Sequence, residues 1–272
     1  MQNKFYIREF LNIFKKKKKI YRHVLRNNDD EKYFFIKTHK NNTSLIYFPK
    51  KNFFRKYSET KKGLNKIEAE INGFKWYCDK NNINLKYIIR EFYKNNFFAH
   101  VDINEIKGIK AKSWNSIEKN FSSLKRVVKH YIKFYPKINK SKIHGDLTLD
   151  NIIFKEKGVF IIDWEFFNSK KNFRGYDIVY LILSAACLPY IFNKTFSKKD
   201  ETLFKYLWKI LIKQKFNKNM LTDPFNFFEK NIKSDIVLKS SLKLSKQKFF
   251  PFITSLSHKK KILNILKTID VK

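Results

Sequence analysis

Residues 142–167 read KIHGDLTLDNIIFKEKGVFIIDWEFF, and the remaining elements of the chain are legible as support for this stretch. Within it His144, Asp146 and Asn151 form an H-x-D-x-x-x-x-N pattern, and the apolar run Val159 to Ile162 delivers a second aspartate, Asp163. Ile152 to Phe154 and Val159 to Ile162 have the β-branched and aromatic content of strands, with Lys157-Gly158 as the turn between them. A hairpin of that length brings Asp163 back to the end from which Asn151 left. Loop, strand pair and second carboxylate are therefore expected in a fixed spatial order.

That order suits phosphoryl transfer from a nucleotide, where the protein does little covalent chemistry and contributes positioning and charge neutralisation. Asp146 is placed to accept or orient the proton of an acceptor hydroxyl. Asn151 and Asp163 offer the hard oxygen ligands that magnesium takes. The stretch resembles the catalytic loop and metal-binding segment of protein kinases, H-R-D-L-x-x-x-N followed by D-F-G. Two places differ: Gly145 stands where those enzymes have arginine, and Asp163-Trp164-Glu165 replaces D-F-G. Both variants look like the aminoglycoside phosphotransferase and choline kinase family, small-molecule kinases that share the protein-kinase fold. The resemblance implies an α+β, bilobal, protein-kinase-like fold, with a small antiparallel-sheet N-lobe and a larger, mainly helical C-lobe. It implies ATP and Mg2+ as cofactors, His144 and Asp146 as catalytic-loop residues, and Asn151 and Asp163 as metal ligands. With no arginine beside the aspartate to sense a phosphorylated activation loop, the site is expected to be assembled constitutively.

Composition narrows the alternatives. A chain of 272 residues can bury a substantial core as one large domain or two lobes. Hydrophobic residues at 43% and aromatic residues at 17% belong to a globular protein and exclude a disordered one. A net charge of +35 would attract polyanions. The lysines are strewn over every segment, however, together with abundant asparagine, isoleucine and phenylalanine, which is how a solvated surface looks under compositional bias. No specific nucleic-acid partner is expected, because a reader of bases clusters its charge and favours arginine. Cys78 and Cys187 make no metal or redox spacing and suit a reducing cytosol. No secretory apolar region is seen in residues 1–14, and the run Ile178 to Phe192 is too short for a span of roughly 20 residues. A cytoplasmic location is the expectation.

In chain order, residues 1–30 form a basic segment with helical spacing at Phe10, Leu11 and Phe14 ahead of Lys15 to Lys19. It reads either as a helix packed on the first lobe or as an amphipathic helix able to touch an anionic membrane surface. Strand-like runs follow at Tyr33–Lys37, Ser44–Phe48 and Phe53–Tyr57, then a helix at Leu64–Asp79, then strands at Asn84–Phe92 and Phe97–Ile103. These make an N-lobe of 31–105. By the resemblance, Lys56 on the third strand would meet the nucleotide phosphates and Glu70 on the helix would pair with it. Glu68 is second to Glu70, and Arg55 or Lys51 are alternatives to Lys56. No G-x-G-x-x-G loop separates the first two strands. Glu105 to Gly108 resembles the hinge, where backbone near Ile103 and Ile106 would meet adenine.

The C-lobe is expected over 106–272. A helix Ser113–Tyr135, capped by Ser113 and stopped by Pro136, would turn Ile117, Phe121, Leu124, Val128, Tyr131 and Ile132 to one face. Glu165 adds a third carboxylate near the metal ligands. Asp177, ahead of a helix Ile178–Ala186, matches a family position that steadies the catalytic loop; an N-cap is the other role open to it. Residues 195–272 read as acceptor-binding helices, with 18 lysines against six acids, which favours a neutral or anionic acceptor over a cationic one. The functional expectation is an ATP-dependent phosphotransferase that acts on a hydroxyl of a small molecule, sugar or glycan. The alternative is a catalytically degenerate kinase-like binding or scaffolding protein, suggested by the missing glycine-rich loop.

Overall fold

Apolar residues at every second position build the first part of the chain as a sheet. The structure is a computed structural model, and it describes residues 34–38, 43–135, 142–156, 158–168, 174–190, 195–234 and 256–269. The expected basic segment 1–30 and the turn between the first two strands lie outside these. Strands β1 (Phe34–Thr38), β2 (Ser44–Phe48) and β3 (Phe53–Ser58) form an antiparallel meander. Strands β4 (Ile89–Lys94) and β5 (Ala99–Asn104) extend it to the order β1-β2-β3-β5-β4. Phe48 lies opposite Phe53, and their rings stack with centroids 4.5 Å apart. With Ile46, Tyr57 and Phe98 they make the apolar core of this sheet. One ion pair is set into it: Arg55 Nε and Nη2 donate to the carboxylate of Asp102, directly opposite on β5, at 2.6 and 2.5 Å. The two-pronged geometry satisfies both buried charges.

Helix α1 (Lys61–Asn81) starts three residues before the expected Leu64. Thr60 explains the difference, since its Oγ1 accepts from the Gly63 N–H at 3.1 Å and so caps the first turn. The fourth strand starts five residues after the expected Asn84, because Leu85–Tyr87 coils into a single 3-10 turn. The chain divides into two compact units. One holds the described residues up to Ile67 with Lys86–Glu105; the other holds Glu68–Leu85 and all that is described from Ile106 on.

The second unit is mainly helical around a small sheet of β6 (Ile109–Lys110), β7 (Ile152–Lys155) and β8 (Gly158–Ile161). The expected hairpin is present, with Ile152 opposite Ile161 and Phe154 opposite Val159. Helix α2 (Ile117–Phe134) is capped by Ser116, whose hydroxyl accepts from Lys119 N–H, and not by Ser113. Ser113 is buried outside the helix, and its N–H points to Asp150. The buried face also shifts: Asn120 and Val127 are inside, while Phe121 and Ile132 are only half-buried. A buried asparagine is tolerated there because its Nδ2 donates to the carbonyls of Lys112 and Asn115, tying down the approach to the helix.

Tyr77 of α1 braces the outer edge of β8. Its hydroxyl donates to the Val159 carbonyl at 3.1 Å, accepts from Ile161 N–H at 3.3 Å, and meets His130 Nε2 at 3.3 Å. Burial, reinforced by the charge of Lys133, lowers the pKa of His130 from 6.5 to about 4. Between those values the unfolded chain binds a proton that the folded chain refuses, so this part of the stability is present above pH 6.5 and is lost as pH falls towards 4. At ~1.4 kcal/mol per unit the loss is at most ~3.5 kcal/mol. Denaturant unfolding at pH 7 and pH 4.5 should show a smaller difference for His130→Gln than for the parent; equal differences would refute the assignment.

Helix α3 (Tyr176–Cys187) is buried at all twelve positions, as a helix apolar on every face apart from Asp177 and Ser184 is expected to be. Helices α4 (Lys198–Ile212), α5 (Lys218–Thr222), α6 (Pro224–Ser234) and α7 (Leu256–Lys267) follow. Asp200 ties two helix starts together. It forms a capping box with Ser197 at the start of α4, and its other oxygen accepts from Glu118 N–H in the first turn of α2 at 3.0 Å. Cys78 and Cys187 are buried free thiols. Among the described residues no helix is long and apolar enough to cross a membrane. The fold class is thus the expected α+β arrangement, an antiparallel sheet followed by a mainly helical unit.

Candidate active site

An antiparallel bridge closes the site. Ile143 and Asn168 exchange both backbone hydrogen bonds at 3.0 Å, which lays the start of the H-x-D loop beside the segment that follows Asp163. The His144 ring is fully buried against Trp164, with ring centroids 4.6 Å apart. Its Nδ1 accepts from Asp146 N–H at 3.3 Å, so its Nε2 carries the proton and donates to the Ile162 carbonyl at 2.9 Å. His144 therefore pins Asp146 to the residue before Asp163.

Asn151 closes the same circuit from the other side. Its Nδ2 donates to the Asp146 carbonyl at 2.8 Å, and its own carbonyl accepts from Ile162 N–H at 3.0 Å. Asp146, Asn151 and Ile162, the residue that precedes Asp163, fixed only in order by the sequence pattern, are here linked by short hydrogen bonds that involve the backbone of each. Asp163 sits at φ 65, in the left-handed region. Aspartate tolerates that region better than most residues, but the conformation still costs of order 1 kcal/mol and persists where neighbours impose it.

Gly145 explains the departure from the arginine of protein kinases. It lies at φ +91, and a Cβ there would come 2.6 Å from the Phe166 carbonyl oxygen. No side chain fits that approach. Gly145→Ala should cost about 2 kcal/mol or more and should lower turnover as well, since the strain falls beside Asp146. Unfolding and steady-state rates measured on one preparation check this; a variant as stable as the parent would contradict the close approach.

Asp177 supports the loop from below. It is the second residue of α3, and Gly175 occupies the N-cap, so capping is not its role. Its Oδ2 accepts from His144 N–H at 2.9 Å and from the Tyr135 hydroxyl at 2.7 Å, while Oδ1 accepts from Gly145 N–H at 3.0 Å. Complete burial pushes its carboxyl pKa up, against the opposing effect of the hydrogen bonds from Tyr135 and the two backbone donors. Trp164, the central residue of D-W-E, is a packing anchor: it is fully buried, and its Cβ is where a side chain on Gly73 of α1 would have to go.

The remaining predicted residues fall in both units. Arg55 is committed to Asp102 and Lys51 lies in the turn before β3, whereas Lys56, next to Arg55, points to the opposite face of the strand. Glu70 is buried at 1% exposure and Glu68 is half-buried. Lys56 belongs to the first unit and Glu70 to the second. Ile103 is a buried residue of β5 and Ile106 a half-buried residue after it. Between them the Asn104 and Glu105 N–H groups are engaged by the Ile88 and Asn52 carbonyls. Glu165 is half-buried.

Two residues of the site escape the sequence pattern. Tyr135, legible only as a helix end, is a hydrogen-bond donor to Asp177, and Tyr180 of α3 has its hydroxyl 3.3 Å from Asp146 Oδ1. A signal for Tyr180 exists in the spacing: it follows Asp177 by three residues, hence the same face of one helix. As for metals, Asn151 and Asp163 present oxygen donors of the kind magnesium takes, and the amide nitrogen of Asn151 is already spent on Asp146, which leaves its oxygen for a ligand. Among the described residues one group of three acidic or imidazole side chains is close enough to share a cation, Glu91, His100 and Asp102. Arg55 already fills that place with its own positive charge.

No family model matches the chain, and no curated protein matches it. Similar solved structures include phosphotransferases and a kinase. They include the aminoglycoside phosphotransferase APH(3'')-Id from Streptomyces rimosus, at 13% identity and a TM-score of 0.46, covering 70% of this chain and 90% of that one. The amicoumacin kinase hAmiN, in complex with AMP-PNP, Ca2+ and Ami, has 11% identity and a TM-score of 0.47 and covers 87% of each chain. The GDP complex of wild-type aminoglycoside 2'-phosphotransferase-IIIa has 10% identity and a TM-score of 0.40, covering 85% of this chain and 96% of that one. Likeness of this degree assigns no residue a role.

Proposed function

We propose that the chain is a phosphotransferase that moves the γ-phosphate of ATP to a hydroxyl of a small molecule, sugar or glycan. The observation that supports this most is the closed circuit His144–Asp146–Asn151–Ile162, which holds one candidate base and two candidate metal ligands together through bonds of 2.8 to 3.3 Å. A fold maintained only for packing has no need to assemble an asparagine with two half-exposed carboxylates, one of them, Asp163, on a strained backbone.

In this reading Asp146 orients the acceptor hydroxyl and takes its proton while the acceptor oxygen bonds to the γ-phosphorus. The bond from that phosphorus to the bridging oxygen breaks, and ADP leaves with the electron pair. Asn151 Oδ1 and the Asp163 carboxylate would hold magnesium, which when bound neutralises the phosphate charge. His144, Gly145 and Asp177 keep the loop in place. Lys56 and Glu70 are each proposed to serve the nucleotide phosphates, and backbone near Ile103 and Ile106 to meet adenine. The lysine-rich segment from residue 195 favours a neutral or anionic acceptor, and the buried free thiols suit a reducing cytosol.

The test is incubation of the full chain with γ-labelled ATP and Mg2+, alone and with a panel of sugars, amino alcohols and phosphosugars, followed by separation of labelled products. Label is expected in at least one acceptor and slowly in inorganic phosphate, in both cases abolished by EDTA. No label in any product at millimolar ATP would leave the scaffolding alternative standing.

A further inference from the structure

The buried helix α3 does more than hold the loop backbone. Asp177 takes the His144 and Gly145 N–H groups, and one turn later, on the same face, Tyr180 presents its hydroxyl to Asp146 Oδ1 at 3.3 Å. Tyr180 is 1% exposed, and its ring is fixed by Tyr176, stacked at 6.3 Å, and by Phe228, edge-on at 5.6 Å. A phenol so confined has its hydroxyl direction set by packing and not by solvent. Burial, and then the charge of Asp146, push its pKa well up, so it stays a donor at any working pH. The distance is long for an O–H···O⁻ bond, as hydrogen bonds at unliganded reaction centres often are before substrate tightens them.

We propose that Tyr180 is a positioning residue that sets the rotamer of the Asp146 carboxylate, presenting Oδ2 to the acceptor hydroxyl by engaging Oδ1. The proposal rests on the reading of Asp146 as the group that receives the acceptor proton. One helix face would then fix both parts of the base: Asp177 its backbone, Tyr180 its side chain. Two oxygens of one carboxylate are equivalent in solution. A single donor from a rigid helix removes that equivalence and the entropy that goes with it.

The test uses the full chain, MgATP, and total labelled product with water or the best acceptor of the panel as probe. Tyr180→Phe deletes one oxygen and keeps the ring, so the protein should fold. It is expected to lower kcat about tenfold with KM for MgATP unchanged. Tyr176→Phe, which deletes a hydroxyl from the same stacked pair, serves as the packing control and should keep the parent kcat. The decisive arm is the double variant. In an Asp146→Asn background Tyr180→Phe should cost nothing further, because the carboxylate it orients is gone, whereas a merely structural loss would persist there. Equal kcat losses in both backgrounds, or a Tyr180→Phe that turns over like the parent, overturn the proposal while leaving Asp146 as the base. An Asp146→Asn variant with parental turnover overturns the base reading, and the proposal falls with it. Should Tyr180→Phe unfold, Tyr180→His, which keeps a ring and a donor, is to be measured in its place, and an additive loss again refutes the coupling.

Discussion

Replacing Asp146 with asparagine should lower phosphate transfer by two to four orders of magnitude while thermal stability and nucleotide KM stay close to the parent, the share of rate a positioned base contributes being roughly 10²- to 10⁴-fold. The side chain is half-exposed, and the circuit that holds residue 146 runs through its backbone, the N–H to His144 and the carbonyl to Asn151. An amide is nearly the same shape as the carboxylate and can still accept from Tyr180, so the fold has little reason to respond. What disappears is the capacity to take a proton. Steady-state kinetics with calorimetric nucleotide binding on the same preparation separate the two effects. Parental turnover would remove Asp146 from the mechanism; lost nucleotide binding would mean that it belongs to the phosphate site and not to the acceptor.

Asp177→Ala should be the most destabilising single substitution near the site, costing about 3 to 5 kcal/mol and lowering Tm by roughly 10 °C. The carboxylate is fully buried and receives three donors, the His144 and Gly145 N–H groups and the Tyr135 hydroxyl. Alanine leaves all three in a dry interior without an acceptor, and each such group costs ~1–3 kcal/mol. Asp177→Asn keeps one oxygen and should fall between alanine and the parent. Turnover should drop in parallel, because the loop carrying Asp146 loses its floor. Denaturant titration of the three proteins decides: an alanine variant within about 1 kcal/mol of the parent would show that water enters and replaces the carboxylate.

Short-range features are legible in the sequence because their spacing is physical. The hairpin between Asn151 and Asp163 follows from two β-branched runs and a turn, and the largely apolar run of α3 from Ile178 on is legible as a buried helix. The departures are local and have local causes. Ser116 stands directly before the first helical residue, yet Ser113, three positions earlier, looks equally suitable as a cap on paper. Asn120 is not expected in the core, because a polar residue is placed inside only when two carbonyls happen to await it. The 3-10 turn at Leu85–Tyr87 is indistinguishable by residue type from the start of a strand.

By itself the sequence determined the chemical vocabulary of this protein: two aspartates and an asparagine at intervals that a loop and a hairpin convert into proximity. Only the tertiary structure decided which groups hold them. Asp177 reaches His144 across 33 residues, Tyr180 reaches Asp146 across 34, and Tyr77 reaches Ile161 across 84. The physical reason is that a pattern within one helix turn or one hairpin is set by backbone geometry. A hydrogen bond between distant segments depends instead on how several elements pack together, and no spacing along the chain encodes that.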